Sequence, residues 1–169
     1  LYDLGTSSNQ IDNSERGFSF KYKGPLDMRM GLSDNLASQI VNNYDEKKLA
    51  NIIFEYGEEK YSRKIAREIV KNRKIKAIDN TIELSELIKK IIPNKSFKKK
   101  NIHPATKTFQ ALRIFINDEL NELKIALEKS EDLLEKNGLL IIVSFQSLED
   151  RIVKDFFNHK SGKRWRSSR

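Results

Sequence analysis

Two polar segments of this sequence carry side chains suited to chemistry, and each directly follows an apolar run. Asp3 follows the apolar start of the chain, and Ser144 follows residues 139–143. If both runs are strands of one parallel sheet, their polar ends lie at the edge where such sheets bind ligands. A carboxylate at this edge can accept hydrogen bonds from an amine or a hydroxyl, and capping of the next turn is the competing explanation for Asp3. We expect the two loops to converge on one site.

Gln10 is a further polar candidate in the loop after Asp3. Its carboxamide can both donate and accept hydrogen bonds, which suits the polar edge of a cofactor, although an exposed loop glutamine needs no function. Beyond the other loop, Glu149 and Asp150 form an acidic pair at a predicted helix start, where capping and dipole roles are favoured over catalysis. The residues by themselves therefore identify no general base.

Several reaction classes are disfavoured by missing residues. The chain has no cysteine, which removes thiolate nucleophiles, disulfides and cysteine zinc sites. Its two histidines, His103 and His159, lack metal-ligand spacing, and neither a GxSxG nor a GxxxxGK[ST] motif occurs. No apolar run approaches the roughly 20 residues that cross a membrane, so we expect a soluble, cytoplasmic protein without a metal. Because Leu1 is not a methionine and lies inside an apolar run, we also expect the chain to be part of a longer one.

The elements that must position these residues begin with a helical part. Between residues 33 and 93, the apolar spacing predicts four short amphipathic helices. Ser33 is the predicted cap of the first helix, and Asp45 is the cap and Gly57 the end of the second. Thr81 is the predicted start of the fourth helix, which ends at Pro93.

The remaining elements predict the fold class. An apolar stripe from Phe109 to Leu134 indicates one long helix, and the continuous run 139–143 indicates a strand covered on both faces. Ser147 and Asp150 then have the spacing of a capping box at the start of another helix. Helix, strand, helix is the unit of a doubly wound parallel sheet, so we predict an α/β fold with the helical part inserted between its strands.

Positive charge is concentrated in the predicted helical insertion. The formal net charge is +8, and residues 60–100 hold 14 basic and 4 acidic side chains. Solvated helix faces are the simpler explanation of such a run. Its confinement to one part of the chain favours a nucleic-acid surface, where lysine and arginine bind phosphate. Trp165, in the basic tail, offers a stacking surface for a base.

Five blocks of sequence, in order, resemble the MraW/RsmH family. The blocks are Asp3 to Gln10 (DLGTSSNQ), Glu15 to Phe20 (ERGFSF), Gly24 to Met30 (GPLDMRM), His103 to Ile114 (HPATKTFQALRI) and Ser144 to Lys154 (SFQSLEDRIVK). Members of that family are S-adenosylmethionine-dependent methyltransferases that modify the exocyclic N4 of a cytidine in small-subunit (16S) ribosomal RNA. The resemblance implies a Rossmann-like methyltransferase core with an inserted all-α helical substrate-recognition domain.

The resemblance also implies roles for particular residues. Asp3 and Gln10 would contact the donor S-adenosyl-L-methionine, and the loop of Ser144, Phe145 and Gln146 would border the pocket for the target base. Gln146 stands where the family usually has histidine. A glutamine at this position can still form hydrogen bonds, but it cannot transfer a proton as histidine can. Aromatic side chains suit a pocket for an unstacked base, and packing is the expected role of at least two of the three candidates. Those candidates are Phe18, Phe20 and Phe145.

Small-subunit ribosomal RNA is the partner that the resemblance implies. The basic side chains of the insertion and its connection would help to hold this RNA. The candidate RNA-binding residues are Lys71, Arg73, Lys74, Lys98, Lys99, Lys100 and Lys107. The family's glycine-rich donor-binding loop and its final strands do not occur in this sequence, so we expect the isolated chain to bind the donor weakly or not at all.

The expected organisation has four parts. Residues 1–32 and 103–158 belong to the methyltransferase core, residues 33–102 form the helical RNA-recognition insertion, and residues 159–169 are a basic tail. The first hypothesis for function is ribosomal RNA cytosine-N4 methylation as part of a longer chain. The alternative is a non-catalytic remnant, or split-gene product, that retains only RNA binding. A DNA amino methyltransferase is disfavoured because no DPPY-like block occurs.

Overall fold

The computed structural model describes residues 1–31, 35–93 and 102–162. In chain order, its elements are β1 (Tyr2–Asp3), α1 (Ser8–Asp12), a 3-10 helix (Ser14–Arg16), α2 (Ala37–Asn43), α3 (Glu46–Gly57), α4 (Ser62–Arg73), α5 (Thr81–Ile91), α6 (Thr106–Ile116), α7 (Glu119–Leu133), β2 (Ile142–Val143) and α8 (Ser147–Lys160). The structure is therefore mostly helical, with a small two-stranded sheet. No helix in the described ranges has the length and apolar character to cross a membrane.

The chain forms two compact units. The first contains Leu1–Thr6 and the chain from Asp118 onward, and the second contains Ser7–Asn117. These units do not divide at the predicted boundaries, residues 33 and 102. The reason is packing: Leu26 and Met28, from the segment before α2, lie in the core of the helical unit, and α6 packs against α3.

In the first unit, the two strands form a parallel pair. Tyr2 lies opposite Ile142 and Asp3 opposite Val143, and the N–H of Leu4 donates to the carbonyl of Val143 at 3.0 Å. The parallel pairing predicted for the two apolar runs is confirmed. The helices α7 and α8, which precede and follow β2, pack against each other. The hydroxyl of Tyr2 shares a 2.8 Å hydrogen bond with that of Ser130 and so joins β1 to α7.

The strand predicted for residues 139–143 is shorter and less buried than expected. Its paired part is Ile142–Val143, and Leu139 and Ile141 are 82% and 54% exposed. Alternate residues of a strand point to opposite faces, and here the intervening residues are half-buried. The prediction of cover on both faces is wrong for the described residues. An apolar composition indicates that a face can be buried, whereas a neighbouring element must be present to bury it.

The second unit confirms the four predicted helices as α2 to α5. Asp45 caps α3, as predicted, by accepting a 2.8 Å hydrogen bond from the N–H of Lys48. The predicted first cap, Ser33, lies outside the described residues. The helix α5 begins at Thr81, as predicted, and Asn80 caps it, since its side chain accepts from the N–H of Glu83 at 3.0 Å.

Gly57 is the last residue of α3, as predicted, and the left-handed residue that follows the helix is Glu58, at φ 47°. A Cβ at position 57 would stand 2.5 Å from the carbonyl oxygen of Lys107 on α6. Glycine is therefore needed here because two helices approach each other closely.

The predicted long helix is in fact two helices, α6 and α7. They meet at Asn117 and Asp118, where Asp118 is left-handed at φ 48°. Leu112 and Ile116 of α6 lie in the core cluster of the second unit, and Leu123 and Leu127 of α7 are buried residues of the first. The apolar spacing continues across the break because each helix buries one face, and spacing does not show that the two faces belong to different cores.

Candidate functional site

The carboxyl ends of β1 and β2 bring two predicted site segments to one edge of the first unit. Asp3 pairs with Val143, so the loop that begins at Ser144 starts beside the residue after Asp3. The Asp3 side chain is exposed. Ser7 caps the following helix, α1, and accepts the hydrogen bond from the N–H of Gln10. Because Ser7 caps α1, capping of that helix does not explain Asp3.

The loop of Ser144, Phe145 and Gln146 presents an aromatic ring. Phe145 is 74% exposed, and its two neighbours in the loop are half-buried. The ring is therefore accessible to a binding partner at this edge of the unit.

The start of α8 differs from the predicted capping box. Ser147 is the first helical residue and not the cap, and Asp150 forms an ion pair with Lys154 at 2.6 Å. Glu149 is 4% exposed, and its carboxylate accepts a hydrogen bond from the N–H of Phe145 at 3.4 Å. The acidic residue that faces back toward the loop is thus Glu149. Sequence spacing missed it because both acids fit the first turn of a helix.

Gln10 lies in the second unit, whereas Asp3 lies in the first. Its side-chain oxygen accepts a 2.9 Å hydrogen bond from the N–H of Ser7, which completes a capping box on α1. The carboxamide is half-buried. The structure therefore gives Gln10 a local bonding role that the sequence prediction did not include.

Residues 13–31 form a tightly bonded block in the second unit. Asp27 and Arg29 form an ion pair in which Nε and Nη2 of the guanidinium each donate to one carboxylate oxygen, at 2.7 and 2.9 Å. These hydrogen bonds lower the pKa of Asp27, and the nearby charge of Arg16 lowers the pKa further. Asn117 bonds to the same block from the end of α6. Asn117 was missed from the sequence because no motif marks it.

The two phenylalanines of this block pack in the protein. Phe18 and Phe20 are partly buried against the core of the helical unit. The ring of Phe20 stacks on His103 at a centroid distance of 4.3 Å and meets Phe109 edge-on at 5.2 Å. The prediction that at least two of the three candidate aromatic residues pack is confirmed, and Phe145 is the exposed one.

The predicted RNA-binding residues fall into three groups. Lys98, Lys99 and Lys100 lie outside the described residues. Arg73 and Lys107 each donate a 2.7 Å hydrogen bond to a backbone carbonyl, that of Val41 and that of Glu58 respectively, so these two side chains hold helices of the unit together. Lys71 and Lys74 are exposed.

An exposed row of cations runs along and just beyond α4. From Lys64 onward its members recur every three or four residues, and Arg63 lies four residues before Arg67, so all of them lie on one side of the helix. They are Arg63, Lys64, Arg67, Lys71 and Lys74. We call this set the α4 basic face. Arg67 makes a 3.6 Å surface ion pair with Glu46. One carboxylate beside five cations leaves the α4 basic face strongly positive.

Across the described ranges, no group of three or more histidine, aspartate or glutamate side chains is placed to hold a metal ion.

Comparison with known proteins gives a consistent result. The sequence profile of the MraW methylase family matches residues 1–166. Relatives from Rickettsia africae and Parvibaculum lavamentivorans are each 52% identical, over 96% and 100% of this chain and 52% and 49% of their own lengths. A relative from Paramagnetospirillum magneticum is 51% identical over 99% of this chain and 52% of its own length. All three are named ribosomal RNA small subunit methyltransferase H. The chain spans about half the length of these relatives.

Proposed function

This chain belongs to the MraW methylase family, and we propose that the protein containing it transfers a methyl group from S-adenosylmethionine to the N4 amine of a cytidine in small-subunit ribosomal RNA, in the cytoplasm. The observation that carries the proposal is the common edge of the two parallel strands. There Asp3 and the loop of Ser144, Phe145 and Gln146 lie side by side. This is the location at which open parallel sheets bind ligands.

In this proposal the two compact units have different roles. The first unit, with its parallel strands between helices, is part of a Rossmann-like methyltransferase core in this proposal. The helices of the second unit form the substrate-recognition domain inserted into that core. The path of the chain supports this assignment, because the chain leaves the first unit after Thr6 and returns to it at Asp118.

The residues after β1 fit the donor. The exposed carboxylate of Asp3 can accept hydrogen bonds from hydroxyl or amine groups. Gly5, at φ 109°, has no atom within 4 Å of the position that a Cβ would take, so the backbone beside Asp3 is open to a ligand. That Gln10 also contacts the donor stays a prediction from the family resemblance. When bound, S-adenosylmethionine supplies the electrophilic methyl group on its sulfonium sulfur.

The loop after β2 suits the target base. The amine of cytosine is a weak nucleophile because its lone pair is delocalised into the ring, so the site must orient the amine and accept its proton. The exposed ring of Phe145 can stack on a base that has left its helix. Gln146 can hydrogen-bond to a base edge but does not take up a proton near neutral pH.

The α4 basic face supports binding of the RNA. Its five cations lie on the surface of the unit that we assign to substrate recognition. Attraction to phosphate and release of counterions make such a face bind polyanions.

The direct test is methyl transfer by the protein as its gene encodes it. We expect labelled methyl from S-adenosylmethionine to appear in small-subunit ribosomal RNA. Asp3→Ala should weaken donor binding by about tenfold or more, measured by calorimetry, because charge-assisted hydrogen bonds are lost. Asp132→Ala, an exposed acid of the same unit, is the control. RNA binding without any methyl transfer would favour the non-catalytic alternative.

Phe145 gives a test of the base-binding loop. Phe145→Ala should lower kcat/KM for the RNA by about tenfold or more, since one base stacked on an aromatic ring contributes roughly 1–3 kcal/mol. The melting temperature should not fall, because the ring is exposed. Phe54→Ala removes another exposed phenylalanine and should leave kcat/KM unchanged. Equal losses for the two variants would rule out a stacking role.

A further inference from the structure

The turn from Asp27 to Met30, hereafter the 27–30 turn, is held in a conformation that it would not adopt by itself. Met28 is left-handed, at φ 65°, and its side chain is buried. The N–H of Met28 donates to the carbonyl of Arg16 at 3.0 Å, and that of Arg29 donates to the carboxylate of Asp27 at 3.1 Å. A non-glycine residue persists in this region only where its surroundings fix it, and such residues are concentrated at functional sites.

Asn117 fixes the turn from the end of α6. Its amide nitrogen donates to the carbonyl of Met28 and to that of Arg113, both at 2.8 Å. Its amide oxygen accepts from the N–H of Met30 at 2.6 Å. One side chain therefore joins both flanks of Arg29 to the last turn of a packed helix.

Arg29 is consequently held at its backbone and at its side chain. Its carbonyl accepts a 2.8 Å hydrogen bond from Nη2 of Arg16, and its guanidinium is paired with Asp27. The side chain of Arg29 remains 39% exposed. The charge of Arg16 lies near enough to Asp27 to lower the pKa of that carboxyl, so a second guanidinium borders the same turn.

A fixed, partly exposed guanidinium suits a phosphate. Its planar N–H groups match phosphate oxygens, and pairing with a carboxylate removes the rotational freedom that binding would otherwise cost. We propose that Arg29 binds a phosphate of the RNA substrate and that Asn117 is a positioning residue that acts through the 27–30 turn. The identity of the RNA rests on the proposed function; the phosphate contact rests on the turn.

The chain offers a matched control for Asn117. Asn42 donates from its amide nitrogen to the carbonyls of Ser38 and Ile78, both at 2.9 Å, and accepts from the N–H of Ile78 at 2.9 Å. Like Asn117, it bonds to the residue four positions back in its own helix. Each asparagine also bonds to one backbone carbonyl and one backbone N–H of a neighbouring loop. Substitution of either asparagine by alanine removes three hydrogen bonds of the same kinds. The bonds of Asn42, however, do not involve the 27–30 turn.

The experiment measures binding of transcribed small-subunit ribosomal RNA over a series of salt concentrations, with the protein as its gene encodes it. Arg29→Gln should reduce the slope of log affinity against log salt by about 0.7–0.9, the change for one lost phosphate contact. Arg29→Lys keeps the charge and should keep the slope. Asn117→Ala should weaken binding about tenfold or more at fixed salt, the effect of losing one charge-assisted hydrogen bond, and Asn42→Ala should not.

The double variant tests whether Asn117 acts through Arg29. Arg29→Gln combined with Asn117→Ala should bind no more weakly than Arg29→Gln alone, because residues that act through one contact are not additive. An unchanged salt slope for Arg29→Gln, or equal weakening by Asn117→Ala and Asn42→Ala at equal losses of melting temperature, would overturn the inference. Labelled methyl transfer by the unsubstituted protein is measured in parallel. Its absence alongside the expected slopes would refute the activity alone, and absence of any RNA binding would refute both.

Discussion

At the scale of single residues, backbone contacts explain why the block 13–31 needs glycine at positions 17 and 24. A Cβ at position 24 would stand 1.8 Å from the carbonyl oxygen of Ser14, and one at position 17 would stand 2.2 Å from that of Pro25. Gly24 is also bonded to Thr81 in both directions, through its N–H to the hydroxyl and through its carbonyl to the N–H. The loop thus lies directly on the start of α5.

Gly24→Ala should destabilise the fold. The added methyl group meets backbone that cannot move without breaking the bonds to Thr81, so we expect a loss of about 2 kcal/mol or more. In a chain of this size that corresponds to a fall in melting temperature of roughly 4–8 °C. Gly31→Ala is the control, because nothing lies within 4 Å of its Cβ position. Similar melting temperatures for the two variants would contradict this account.

His103 gives the stability of the protein a pH dependence. Burial lowers the pKa of His103 from its ordinary value of 6.5, and the charge of Lys89 lowers the pKa further. Its Nδ1 accepts a 3.2 Å hydrogen bond from the N–H of Ala105, which only the neutral ring can do. As the pH falls below 6.5, the unfolded chain binds the proton first, so the free energy of unfolding should decrease until the lowered pKa is passed.

The measurement is chemical denaturation between pH 7.5 and pH 5. His103→Asn keeps a side-chain acceptor for the N–H of Ala105 and removes the titration. We expect this variant to lose the part of the pH slope that begins near 6.5 in the unsubstituted protein. If the slope is unchanged in the variant, another group causes it.

At the scale of elements, α4 combines a structural face with a basic one. Ile65, Ala66 and Ile69 are fully buried, and the cations of the α4 basic face lie on the exposed side. The helix is therefore held by its apolar face, and its charges do not contribute to packing. Arg73 differs, because its guanidinium donates to the carbonyl of Val41 on α2.

Removal of charge from the α4 basic face should weaken RNA binding without unfolding the protein. Lys71→Gln and Lys74→Gln should each reduce the salt slope of RNA affinity by about 0.7–0.9 if each lysine meets one phosphate. Lys129→Gln, on the exposed face of α7, should leave the slope unchanged. Equal slopes for all three variants would mean that the α4 basic face is only solvated.

At the scale of the whole molecule, the two units have separate sets of buried side chains. The large cluster lies in the second unit and includes Leu26, Ile53 and Leu112, whereas Leu123 and Leu127 are buried in the first. The chain passes between the units after Thr6 and after Asn117. A substitution that destabilises one set of buried side chains should therefore lower stability mainly in the unit that contains it.

Ile53→Ala tests this separation. The side chain is fully buried on α3, so its truncation should cost about 2–5 kcal/mol. Amide hydrogen exchange should become faster in α3, α4 and α6, because these helices pack together, and should change little in α7 and α8. Uniformly faster exchange along the whole chain would indicate one cooperative unit instead.

The sequence by itself determined the helices α2 to α5 and α8, the parallel pairing and the family. Helical spacing and caps such as Asp45 are local properties, since they depend on residues within one or two turns. The common edge of the two strands followed from two apolar runs with polar ends and a rule about sheets. The resemblance of five short blocks was enough to identify the family, because each block keeps its residue types in order.

The tertiary structure alone decided which elements pack together. Spacing could not divide α6 from α7, because both bury a face at the same period while contributing to different cores. Nor could it find Asn117, whose partners Met28 and Met30 are far away in sequence and bond through backbone atoms that every residue has. Gly57 ends α3, as the sequence predicted, but only the structure shows that it also lies against the backbone of α6. Such contacts depend on distance in space, which local sequence does not encode.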